Sequence, residues 1–78
     1  MLEFVKKPAK RTNIRFLLNG SIILYKGEPY MFDRIPNGAS SIYVRHIETM
    51  KHLKIPITQD IDKMFFDVIG YCDFTKFN

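Results

Sequence analysis

"IRFLLNGSIILY", residues 14–25, sets two runs of β-forming residues on either side of Asn19-Gly20. Both members of that dipeptide tolerate the positive φ that a type I′ turn needs, so Asn-Gly between apolar runs is a strong local hairpin signal. The stretch predicts strands over about 14–18 and 21–26. Downstream, "KGEP" places Gly27 and Pro29 ahead of "YMFDRI". Pro29 has no N–H to give a ladder and is expected to open the next strand, about 30–35, or to sit on an edge. "PNGAS" at 36–40 marks a further turn, after which Ile42, Val44 and His46 alternate with Tyr43, Arg45 and Ile47, the period of a half-buried strand. These segments make a four-strand meander over 14–48, with a short fifth strand available from "LEFVKK".

The character of the chain changes near its end. Apolar residues at 61, 64, 65, 68 and 69 follow the i, i+3, i+4, i+7, i+8 series of an amphipathic helix. Thr58 or Asp60 can cap it, Asp60 and Asp62 favour its first turn, and Gly70 is a natural stop, so the spacing predicts a helix over 58–70 with a tail at 71–78. The fold class expected is mainly β with one short helix: a small antiparallel meander curled into an SH3-like barrel, with a C-terminal amphipathic helix. An open sheet with the helix over one face satisfies the same periodicities.

With 78 residues, 46% of them hydrophobic, and eleven aromatic side chains, the chain is expected to fold as a single small domain, 1–78, near the size where one core leaves only a few kcal/mol of net stability. Apolar runs such as Ile22–Tyr25 are far shorter than the ~20 residues that cross a bilayer, and no secretory pattern opens the chain, so a soluble, cytoplasmic protein with no membrane partner is expected. The lone Cys72 excludes an internal disulfide and fits a reducing compartment; it is expected to be an inert, partly buried thiol. The net charge of +4 is uneven: residues 1–15 hold Lys6, Lys7, Lys10, Arg11 and Arg15 against Glu3, whereas residues 58–78 hold two cations against four acids.

Nothing in the spacing builds a reactive centre. His46 and His52 are six residues apart, which is roughly 20 Å along a strand and about 240° around a helix, so neither geometry brings them to one ligand. Zinc needs three or four converging donors, and no such set is visible; no metal, cofactor or small-molecule substrate is expected. No carboxylate pair, nucleophile elbow or phosphate loop is present. His46 reads as a partly buried, hydrogen-bonded residue at a strand end, with a minimal His46-dependent hydrolase as the least favoured alternative.

The basic stretch "KKPAKR" is a different matter. Lys6, Lys7, Lys10 and Arg11 form a flexible arm over 1–13 that can lie along phosphates, or a solvated tail that aids solubility. Tyr25, Tyr30 and Tyr43 fall on neighbouring expected strands near Arg34 and Arg45, where rings can stack on bases or simply edge the core. The expected nucleic-acid surface therefore comprises Lys6, Lys7, Lys10, Arg11, Arg15, Tyr43, Arg45, Lys51 and Lys54. The alternative is a protein-binding regulator or inhibitor that docks through a sheet edge or through Phe66, Tyr71, Phe74 and Phe77, with Phe65 expected to cap the core.

"NGSIILYKGEPYMFDRI" followed by "IYVRHIE" resembles the small β-barrel at the end of Mu-type transposases and other SH3-like modules, over about half the chain. The resemblance implies a barrel and assigns no functional residue. The compact format is similar to that of bacteriophage accessory proteins, which bind a host macromolecule, and this implies a binding role without catalysis.

Overall fold

The computed structural model describes residues 3–36, 38 and 40–72. Six strands follow in chain order: β1 (Val5–Asn13), β2 (Ser21–Tyr25), β3 (Glu28–Arg34), β4 (Ser41–His46), β5 (His52–Pro56) and β6 (Phe65–Tyr71). Two 3-10 turns, Ile14–Phe16 and Ile61–Lys63, interrupt them. All pairings are antiparallel in one sheet ordered β1-β6-β2-β3-β4-β5. β2, β3 and β4 form three of the four strands of the expected meander, and the expected first strand at 14–18 is replaced by a 3-10 turn. β5 adds a strand after β4, and β6 returns to insert between β1 and β2. The expected barrel is not formed: the sheet stays open, with β1 and β5 as its edges among the described residues.

The hairpin lies one turn later than Asn19-Gly20. Residues 14–18 leave the extended conformation because Asn13 captures them: its side-chain oxygen accepts from the Arg15 N–H at 3.0 Å, and its amide donates to the carbonyls of Ile61 (2.9 Å) and Met64 (3.1 Å). Ile14 and Leu17 then turn into the core, leaving Phe16 and Leu18 in solvent. Gly20, at φ 94°, closes a turn in which the Ser21 N–H donates to the Leu18 carbonyl at 2.9 Å. With positive φ at its third position only, this has the pattern of a type II turn. The two-residue hairpin is Lys26-Gly27, where both residues have positive φ (52° and 78°) and Tyr25 pairs with Glu28.

No helix spans 58–70. Met64 drops into the main core and residues 65–71 form β6, paired with β1 on one side and β2 on the other. A helix this short is marginal on its own, whereas the aromatic and β-branched run "FFDVI" gains two ladders as a central strand. Its helix-like spacing has a local cause. Ile22 pairs with Gly70 and Ile23 with Val68, so Ile69 is an extra residue that shifts the alternation by one. Gly70, expected as a helix stop, instead lets strands approach closely. A Cβ there would collide with the Val5 carbonyl oxygen and come within 2.7 Å of the Phe4 ring.

Two apolar clusters lie on opposite faces of the sheet. The larger holds Ile23, Phe32, Ile42, Val44 and Ile55 and is covered by Ile14, Leu17 and Met64 from the 3-10 turns, which occupy the role expected of the helix. The smaller holds Ile22, Met31, Ile47 and Cys72. Successive residues Ile22 and Ile23 are both 0% exposed, so β2 is buried on both faces. Strand β5 had no counterpart in the expected meander; "HLKIP" is too short and too polar to declare itself until Ile55 meets Ile42 across the ladder. No helix among the described residues is long and apolar enough to cross a membrane.

Candidate nucleic-acid interface

The basic segment is a strand rather than a flexible arm. β1 pairs Lys6 with Gly70 and Lys10 with Val68, so Lys7, Pro8 and Ala9 together face Ile69 alone. Pro8 therefore sits in a bulge on an edge strand, where its missing N–H costs least. Lysines, a proline and a bulge are also the devices by which sheets keep an edge from pairing with another chain. Edge protection does not account for the rings beside them. The Lys7 ammonium stands 5.7 Å from the centre of the Tyr71 ring, and the Arg11 guanidinium 5.0 Å from that of Phe65.

These rings border a groove. One part, about 430 Å³, is lined by Lys7, Lys10, Thr12, Leu18, Val68 and Tyr71. A second, about 470 Å³, shares Lys10, Thr12, Leu18 and Val68 and reaches Arg11, Phe16 and Phe65. Tyr71 pairs with Ser21 and Val68 with Ile23, a core residue, so the groove opens on the core side of the sheet where the core itself ends. Phe16 is 73% exposed, Leu18 74%, Phe65 40% and Tyr71 42%. Phe65 thus does not cap the core as expected. Sequence reasoning missed Phe16, Leu18 and Phe65 as surface residues. The available signal was Asn13, a capping residue immediately before "IRFLL", with more large apolar side chains than one strand face can bury.

A second cationic set lies toward the other edge. Ile42 and Val44 point into the core, so Tyr43 and Arg45 face away from it. Lys54 pairs with Tyr43 across the β4/β5 ladder and His52 with Arg45, while Arg34 pairs with Tyr43 from β3. The Tyr43 ring lies between Lys54, at 5.3 Å, and Arg34, at 5.8 Å. Arg45 Nη2 donates to His52 Nε2 at 3.1 Å. Lys51 is exposed in the turn just before β5. The expected Tyr43, Arg45 and Lys54 are therefore brought together, but β6, β2 and β3 separate them from β1 in the sheet. The nine expected residues do not form one strip. Arg15 is engaged with Asp62 at 2.9 Å in an exposed pair that contributes little to stability.

His46 serves the β4/β5 turn. Its Nδ1 accepts the backbone N–H groups of Glu48 (3.1 Å) and Thr49 (3.3 Å), so Nε2 carries the proton and donates to Glu28 Oε2 at 3.0 Å. Its ring also meets Tyr30 edge-on at 5.0 Å. Both nitrogens are committed to structure. Among the described residues no group of three or more His, Cys, Asp or Glu could hold a metal ion. Of the alternative protein-binding set, Phe66 is half-buried against the core and the Tyr25 ring, and Tyr71 is exposed at the groove. Phe74 and Phe77 lie outside the described residues.

No protein-family model matches the chain, and neither the curated proteins nor the solved structures include a match to it.

Proposed function

We propose that the protein is a non-enzymatic nucleic-acid-binding module whose contact surface is the groove between β1, β6 and the 16–21 segment. One observation carries this reading: exposed rings line a groove on the same edge as Lys6, Lys7, Lys10 and Arg11, and two of those cations stand directly over two of the rings. Cations hold a phosphate backbone while rings receive bases, and the combination serves nucleic acid better than either part alone. The Tyr43, Arg45 and Lys54 patch is a weaker, secondary cationic surface.

Titration of a labelled oligonucleotide at rising salt tests the proposal. Each phosphate neutralised contributes about 0.7 to 0.9 to the slope of log affinity against log salt, so affinity should fall steeply. Affinity that ignores both salt and the Lys7→Ala/Lys10→Ala pair would sink it.

A second reading has its own support. Phe16 and Leu18 are large apolar groups about three-quarters exposed, and such anchors beside a charged rim are typical of protein interfaces. A regulator or inhibitor that docks this surface onto a partner protein would retain that partner after nuclease treatment and lose it on Phe16→Ala.

A further inference from the structure

We infer that the groove takes single-stranded rather than double-stranded nucleic acid. The inference rests on the binding role proposed above and specifies its substrate class. In a duplex the faces of the bases are already stacked on one another, so a protein gains there from phosphates and from base edges in the grooves. The exposed faces of Phe16, Phe65 and Tyr71 gain nothing from either. An unstacked strand offers free base faces, and each ring that receives one contributes to affinity whatever the sequence.

The shape of the site agrees. Duplex readers insert a protruding helix or β-ribbon into the major groove. Here the rings line a shallow, open groove between β1 on one side and Leu18 on the other, and no helix or β-ribbon among the described residues projects from it. Along β6 Tyr71 and Phe65 are six residues apart, roughly 20 Å at about 3.3 Å per residue. The extra residue Ile69 puts Tyr71 on the core side, while Phe65, next to core-facing Phe66, stands at the rim on the other face. Lys7 marks one end, Arg11 the other, and Lys10 lies between. That span suits a few nucleotides, at or below the short end of the roughly 4 to 16 that single-strand-binding folds cover. Asp67, the register partner of Arg11, is an acid at this rim and keeps the surface from being uniformly cationic.

Fluorescence anisotropy of the full chain with labelled oligothymidine, oligouridine and a mixed-sequence duplex, each of roughly 12 units and at about 50 mM salt, tests the inference. The expected result is at least about tenfold tighter binding of one or both single strands than of the duplex, with Phe16→Ala and Tyr71→Ala each weakening single-strand binding about fivefold or more. Preference for thymidine or uridine assigns DNA or RNA. Duplex affinity equal to or above both single strands overturns the inference while leaving a nucleic-acid-binding role in place; so does unchanged single-strand affinity in Phe16→Ala, whose side chain is too exposed to endanger folding. Absence of binding to all three probes overturns the inference together with the role beneath it.

Discussion

At the β4/β5 edge, Tyr43 is held between Lys54 and Arg34 on the outer face of the sheet. At the β1/β6 edge, Tyr71 and Phe65 each meet a single cation and stand at a groove that Phe16 and Leu18 extend. Both edges set cations beside aromatic rings, with a single ring at the first and Tyr71, Phe65 and Phe16 at the second. The backbone that carries them differs as well. β4 is paired on both sides, with one register shift where β3 carries the extra residue Asp33 opposite it, and its outward residues form a ladder with β5. β1 is bulged, and the chain leaves it through the Asn13-capped turn that pushes apolar side chains outward. The β1/β6 edge therefore stands apart both in carrying more rings and in presenting them at a groove.

The largest effect expected is that of Gly70→Ala, which attacks the β1/β6 edge alone. The added Cβ meets the fixed Val5 carbonyl, so stability should fall by about 2–3 kcal/mol in denaturant titration, with amide exchange accelerating in β1 before β5. Uniform acceleration across the sheet would show that the edges are not independent. The mirror experiment is His46→Ala, which removes the acceptor of the Glu48 and Thr49 backbone N–H groups and the Glu28 bond from the β4/β5 turn. It should cost about 1–2 kcal/mol and leave groove binding unchanged once the protein is folded.

A direct contest between the edges compares Lys7→Ala/Lys10→Ala with Arg45→Ala/Lys54→Ala. The first pair should weaken nucleic-acid binding about tenfold and lower the salt slope by about 1.5; the second should do less than half of that. The reverse order would move the interface to Tyr43. The smallest change expected is a gain. Met50 holds φ 61° in the β4/β5 turn, where a side chain is disfavoured, and it is 40% exposed. Met50→Gly should raise stability by about 0.5 kcal/mol in a thermal melt, without altering affinity.

Much of the meander was legible because alternation is a local signal. Ile42 and Val44 point inward and Tyr43 and Arg45 outward, as the period-two pattern of "SIYVRH" implies, and Lys26-Gly27 breaks β2 from β3 where Gly27 and Pro29 indicated. His46 was also readable as a partly buried, hydrogen-bonded strand-end residue. Residues 14–18 were not, since the bonds that bend them run from Asn13 to Ile61 and Met64, far away in the chain. Nor was β6, whose bulge at Ile69 imitates helical spacing. Of the site, Lys7, Lys10, Arg11 and Tyr71 were visible as charge and aromaticity, while Phe16, Leu18 and Phe65 looked like core.

By itself, then, the sequence determined an antiparallel, mainly β protein, its turn positions at Gly20 and Gly27, and a basic front end. These follow from side-chain alternation, backbone dihedral preferences and charge, all of which act between near neighbours. Only the tertiary structure decided that β6 inserts between β1 and β2, that the basic segment becomes a bulged edge strand, and that Phe16, Leu18 and Phe65 face solvent beside it. Those outcomes depend on which distant backbone groups find partners, and that competition is resolved across the whole sheet rather than within any one segment.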